Sequence, residues 1–275
     1  MSAALVAFIV SIAAGGFGSL GGIGGGLIIV PVLSVVLGYD VKIAIAASLI
    51  GVIATSLSAS PRYIRSGIAD RRLGLLLLVA SALGGLAGGL TAGILDARTL
   101  SLLFALLLAG VAARMLWQVR HPIVHPPIDD DIDGPGFASS YVEPTTGEEV
   151  VSQARRIAPG AAVSFVAGNV SGLLGVGGGV INVPTLNVLM HVPIRVATTT
   201  STYMLAATAA ASATVYITSS RVDPMLAAPV ALGVIVGARL GARLSMRLSQ
   251  NVLRITFVLV AGIFALSMFA EFLSQ

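Results

Sequence analysis

Residues 21–31 read GGIGGGLIIVP: five glycines in the first six positions, an apolar run and then a proline. A glycine inside a helix costs roughly 1 kcal/mol relative to alanine, so such a cluster in an apolar setting demands a structural or functional reason. The setting is apolar throughout. Of 275 residues, 56% are hydrophobic and 10% charged, and the mean hydropathy is +0.97, whereas a soluble domain carries about a quarter of its residues charged. The apolar residues fall in blocks such as Leu73–Leu95, Thr99–Trp117, Met225–Leu240 and Val252–Phe269. Each block is near the length that crosses a hydrocarbon core about 30 Å thick. The chain reads as an all-α polytopic membrane protein. No basic region precedes the first apolar stretch, which is expected to belong to the mature fold rather than to a cleaved signal.

Displacing the sequence by 153 positions lays GSLGGIGGGLIIVP (18–31) on SGLLGVGGGVINVP (171–184), with eight of fourteen positions identical. The register then holds without a gap. Ala44 falls on Ala197, Ser48 on Ser201, Thr55 on Thr208, Tyr63 on Tyr216, Asp70 on Asp223, Gly84 on Gly237 and Gly88 on Gly241. The chain is therefore two copies of one unit, residues 1–119 and 158–275. Between them, residues 120–157 hold seven of the twelve carboxylates and stretches such as HPPIDDDIDGPG, and read as a solvated cytoplasmic linker. The cluster Asp129, Asp130, Asp131 and Asp133 lacks the spacing and terminal glutamate of an EF-hand loop. Charge runs of this kind are hydrated, and no metal or other cofactor is expected.

Each unit opens with an apolar segment too long for one crossing, since residues 2–38 as a straight helix would run about 55 Å. The glycine run lies near its middle, so each unit is expected to begin with a helical hairpin broken at the glycines, both ends on one membrane face. Three spans follow in each unit, at 43–60, 73–95 and 99–119, and at 196–218, 225–246 and 251–272. A hairpin plus three spans is an odd number of side changes, so the two repeats should be inverted relative to each other. The charges agree. With the first hairpin opening outward, only Lys42, Arg98 and Arg221 of the 16 basic residues lie outside. Counting each hairpin as one ordinary span, with the N-terminus inside, leaves nine against seven. The positive-inside rule thus favours the hairpins, a cytoplasmic linker and both termini outside.

Irregular backbone survives in a bilayer only where it is buried in protein or lines a wet cavity. Without Cβ atoms, successive N–H groups at Gly24, Gly25 and Gly26, and at Gly177, Gly178 and Gly179, can converge on an oxyanion. The leg that starts at each break adds its N-terminal partial charge. Two inverted copies would bring both ends to one central anion site. Pro31 and Pro184, lacking an N–H, are expected to weaken or kink the outgoing legs. The isolated pairs Gly84/Gly88 and Gly237/Gly241 read instead as close helix packing.

Polar side chains gather beyond each hairpin. ATTTSTYM (197–204) supplies Thr199, Thr200, Ser201 and Tyr203, with Ser48, Thr55, Ser56 and Ser58 as the thinner counterpart. Such hydroxyls can donate to the oxygens of a small oxyanion, or bond back to their own helix carbonyls. Asn169 and Asn182 flank the second glycine run and need partners if buried. Lys42 and Arg195 occupy equivalent hairpin exits, a candidate pair of access charges. Arg239, Arg243 and Arg247 share one helix face as interfacial anchors, and Arg239, the deepest, is the candidate for drawing anions into an inner vestibule.

No Asp or Glu falls inside a span, and His191 at a hairpin exit is the single histidine outside the linker, so no buried carboxylate relay is visible. Cysteine is absent, which removes disulfides and thiolate chemistry. Neither glycine block fits G-x-S-x-G, and Lys42 is the sole lysine, so no P-loop exists. An intramembrane enzyme is excluded on these grounds. The pI near 10.0 reflects membrane anchoring by singly spaced basic residues and not a nucleic-acid partner.

The paired blocks GGIGGGLIIVP and GVGGGVINVP, each followed by an Ala/Ser/Thr-rich span, resemble the sulfite exporter TauE/SafE family of membrane permeases over everything except the linker. The resemblance implies transport of small sulfur-containing anions, such as sulfite or organosulfonates, across the bacterial cytoplasmic membrane, in the outward direction. It also implies that Gly24–Gly26, Gly177–Gly179, Pro31 and Pro184 are motif positions. Ile29 stands where the second block has Asn182, so a polar contact there would come from one half only. An anion channel or an importer would use the same lining residues, and nothing in the composition sets an oligomeric state.

Overall fold

The computed structural model describes residues 3–120, 137–142, 149–244 and 262–269. Nine helices and one β-hairpin account for most of them. Helix α1 (Ala3–Gly21) ends at the first glycine break, and α2 (Gly26–Pro31) leaves it and continues as a π-helical turn, Val32–Val36. Then follow α3 (Val41–Arg65), α4 (Arg71–Ile94) and α5 (Ala97–Arg120). The second unit repeats this order: α6 (Ile157–Leu174), α7 (Gly179–Pro184) with the π-helical turn Thr185–Leu189, α8 (Ile194–Thr218) and α9 (Pro224–Leu244). Residues 262–269 are helical; the remainder of the last expected span, 251–272, and the Asp129–Asp133 cluster lie outside the described residues.

The prolines act where the sequence places them. Pro31 and Pro184 cannot donate to the carbonyl one turn back, and in both legs the α-helix gives way to the wider π geometry at the next residue. Both legs end alike, Leu37 N–H bonding Val32 O and Met190 N–H bonding Thr185 O, each at 3.0 Å.

The linker departs from expectation. Instead of an entirely solvated segment, it contains antiparallel strands β1 (Phe137–Val142) and β2 (Glu149–Ala154), paired from Phe137–Ala154 to Val142–Glu149. Ala154 is buried, and with Val150 it joins a cluster formed by Ile68, Leu73, Leu186, Met190 and Val196. The linker therefore packs on the α3–α4 turn and the exit of the second hairpin. The fold is all-α apart from this hairpin, whose short, weakly alternating strands are outweighed in the sequence by the acid and proline beside them.

Among the described residues, six helices are long and apolar enough to cross a membrane: α1, α3, α4, α5 up to Arg114, α6 and α9. Helix α8, also 25 residues long, is diluted by its hydroxyls. It does not face lipid broadly, because α3 and α4 flank it.

The helices pack almost backbone to backbone. Any side chain at Gly84 would collide with the carbonyl of Phe165, and any at Gly237 with that of Ile12. Likewise Gly168 abuts Ser81 O and Gly15 abuts Val234 O, the latter at 2.6 Å from where a Cβ would sit. Each contact maps onto the other by adding or subtracting 153. The first leg of each repeat thus lies against the fourth helix of the other, α1 on α9 and α6 on α4, running in the same direction. Helix α4 also runs alongside α8, Gly74 meeting Tyr203 and Gly89 meeting Val215. The short turn Ser66–Asp70 reverses the chain from α3 into α4, so α3 and α8 run opposite ways. Their contacts agree: Ser60 reaches Thr202 O, while Ser56 reaches Thr202 O at 2.6 Å and accepts from Ala206 N at 3.1 Å.

Gly84→Val and Gly237→Val should each lower the thermal midpoint in detergent, by at least the ~1–3 kcal/mol typical of overpacking. Unchanged midpoints would contradict the close backbone approach.

Candidate functional site

Each break is made by two successive residues in the left-handed region: Gly24 and Gly25 at φ +88° and +83°, Gly177 and Gly178 at +83° and +79°. Only glycine takes two such steps in a row without steric cost. The outgoing leg then starts with unpaired donors. Gly25 O accepts from Ile28 and Ile29, and Gly178 O from Ile181 and Asn182. Among the described residues, the N–H groups of Gly25, Gly26 and Leu27, and of Gly178, Gly179 and Val180, have no carbonyl acceptor.

The two breaks meet. A side chain at Gly26 would collide with Gly175 O, and one at Gly179 with Gly22 O. Those carbonyls, freed where α6 and α1 end, are held by the opposite repeat: Ser48 Oγ donates to Gly175 O at 2.8 Å and Ser201 Oγ to Gly22 O at 3.0 Å. One turn back, Tyr63 Oη donates to Ser19 O and Tyr216 Oη to Gly172 O, both at 2.9 Å. Gly24 and Gly177 share the same two neighbours, Val52 and Leu205. Each of these is the twelfth residue of its 25-residue helix, so both breaks lie level with the middle of α3 and α8.

The structure brings Gly24–Gly26, Gly177–Gly179, Ser48, Ser201 and Asn182 together and sets the other candidates apart. Ser48 and Ser201 use their hydroxyl protons on carbonyls. Thr199 bonds back to Arg195 O at 2.8 Å, and Thr200 Oγ1 accepts from Asp70 N at 3.0 Å, fixing the α3–α4 turn. The half-buried Tyr203 covers Gly74. Asn169 has its backbone against Gly84 and Gly88 of α4. Asn182 differs from these. It is 2% exposed, and neither its Nδ2 nor its Oδ1 has a hydrogen-bond partner.

Of the access charges, Lys42 lies close enough to Arg221, Asp40 and Asp96 to feel their fields. Arg195 lies at the opposite end of the molecule, where Thr200 meets Asp70. Arg239 sits on the exposed side of α9 among Leu232, Val236 and Leu240, away from the breaks, as membrane-facing packing of that helix requires. Arg114 and Arg156, which the sequence analysis does not single out, stand instead in a groove of about 590 Å³ between α5 and the second hairpin. Leu106, Val180, Ile181 and Thr185 complete its walls, so it extends from these arginines to the first residues of α7. Spacing along one helix could not reveal this pairing, because the two arginines come from different elements.

Ser48→Ala and Ser201→Ala should cost similar stability, about 1–3 kcal/mol each for a buried carbonyl left unpaired, measured as thermal midpoints in detergent. A loss in one variant alone would break the equivalence of the two contacts.

The sequence profile described as "Sulfite exporter TauE/SafE" matches residues 7–268. A relative from Bacillus subtilis (strain 168), "Probable membrane transporter protein YunE", is 27% identical over 215 residues, covering 73% of this chain and 73% of that protein. No solved structure matches significantly. With that profile spanning both repeats, the chain belongs to the sulfite exporter TauE/SafE family, and it is a membrane transporter rather than an enzyme.

Proposed function

We propose that the protein carries small sulfur-containing anions, such as sulfite or organosulfonates, outward across the bacterial cytoplasmic membrane. In this reading the anion binds at the glycine breaks, near the bilayer midplane. The observation that carries it is the meeting of two breaks whose leading N–H groups have no carbonyl acceptor among the described residues, level with the middle of the two central helices. Unpaired donors at a helix start attract an oxyanion, the more strongly where water is excluded.

The two units act as inverted repeats. The 153-residue correspondence of their contacts and the opposite directions of α3 and α8 support that symmetry. Arg62, Arg65, Arg71, Arg72, Arg155 and Arg156 flank the α3–α4 turn and the linker, so that end faces the cytoplasm. The groove with Arg114 and Arg156 then admits substrate from the cytoplasmic side, which suits export. Rocking of one repeat against the other around the fixed breaks would expose the site to either side in turn.

Thermal shift of the purified protein against sulfite, sulfate, thiosulfate, taurine and sulfoacetate tests the substrate class, because a ligand stabilises the folded state it binds. Saturable uptake with counterflow in proteoliposomes is expected of a carrier; conductance that does not saturate would point to a channel.

Gly25→Val and Gly178→Val should abolish the ligand-induced shift while membrane insertion persists; normal binding in both would refute a backbone site. Arg114→Gln with Arg156→Gln should weaken apparent affinity several-fold at low ionic strength and less at high salt, as screening predicts. A salt-independent change would argue against attraction by these charges.

A further inference from the structure

The two hairpins share a backbone but not a set of polar groups. Where the first carries Gly18 and Ile29 the second carries Ser171 and Asn182, while Ser11 and Ser164 are alike in both. Ser164 and Ser171 are fully buried and Asn182 is 2% exposed. Four of the five buried side-chain atoms left without a partner among the described residues are theirs: both Oγ atoms, Nδ2 and Oδ1.

Ser171 and Asn182 both lie next to Gly178 of the second break. On α6, Gly160 abuts Met190 at the far end of the outgoing leg, while Ala167 O and Ser171 Cβ lie 3.0 and 3.5 Å from where a Cβ on Gly178 would sit. Positions 160, 164, 167 and 171 follow the helical repeat, so Ser164 and Ser171 share the α6 face that meets this leg. Asn182 lies one turn beyond Gly178, to whose carbonyl its N–H donates at 3.0 Å. Because Cα–Cβ bonds lean toward a helix N-terminus, its amide leans back toward the break. Ile29 occupies the same place in the first repeat, so this backbone accommodates an apolar residue there. The second hairpin thus carries, at a cost to its stability, polar groups that its fold does not use, as binding sites do.

We propose that the side-chain ligands of the anion come from the second hairpin alone, and that the anion is a monoanion carrying its own O–H. This rests on the reading of the breaks as a sulfur-anion site. Ser171, Asn182 Nδ2 and the N–H groups of Gly178 and Gly179 donate to the anionic oxygens. Asn182 Oδ1 donates nothing and requires a donor from the ligand. None of these groups is charged, so they can balance one delocalised negative charge far better than two. Hydrogensulfite and short hydroxyalkanesulfonates meet both conditions. The first hairpin, with Gly18 and Ile29 at the corresponding positions, contributes only the N–H groups of its break.

The test compares 2-hydroxyethanesulfonate with propane-1-sulfonate, which carries a methyl group in place of the hydroxyl, by thermal shift titration of the full chain in detergent. The wild type should bind the hydroxylated ligand at least ~10-fold more tightly, since a site built for a hydroxyl penalises its loss. Asn182→Ile should raise the ligand-free midpoint and erase that preference, and Ser171→Gly should weaken both ligands. Asn182→Ala gives the same readout if isoleucine disturbs folding. Equal binding of the two sulfonates by the wild type, or a lower ligand-free midpoint in both Asn182 variants, overturns the inference while leaving the sulfur-anion reading intact. If neither sulfonate nor hydrogensulfite shifts the wild type, that reading fails and the inference with it.

Discussion

The structure depends on the contact between two broken helices. Gly26 rests against the carbonyl of Gly175 and Gly179 against that of Gly22, with no room for a Cβ on either side. A chain cannot leave open backbone in hydrocarbon, where every unsatisfied peptide group costs several kcal/mol. Each repeat therefore provides what the other lacks: Ser48 caps the carbonyl that ends α6, and Ser201 the one that ends α1.

The same dependence runs through the helix packing. Helices α1 and α9, and α6 and α4, meet through glycines whose neighbours are backbone atoms of the other repeat. Apolar side chains gain little by leaving lipid for protein, so close backbone approach and interhelical hydrogen bonds replace the hydrophobic effect as the source of association. The two sequence repeats are accordingly interleaved in space, and α3 and α8 lie between them as the central pair.

Equivalence of backbone coexists with difference of side chains. Val52 and Leu205 contact both breaks, yet four of the five unpaired buried side-chain atoms among the described residues belong to Ser164, Ser171 and Asn182 of the second hairpin. A symmetric frame gives the alternation of access that a carrier needs.

Composition, the 153-residue repeat and the glycine runs were enough to establish the membrane class, the doubled unit, the broken hairpins and the family, because hydropathy, periodicity and backbone permissiveness are properties of neighbouring residues. The β-hairpin of the linker was not legible: its strands are stabilised by docking on Leu186, Met190 and Val196 rather than by their own alternation. Nor could the residues alone say which hydroxyls are free. Ser48, Ser201 and Thr200 look like ligand donors in sequence, and the fold engages all three with atoms 127 to 179 residues away. Ser171, the counterpart of Gly18, is left with an unpaired hydroxyl beside Gly178. Only the tertiary structure decided that division, because a polar group is free or satisfied according to what distant chain segments bring within about 3 Å of it.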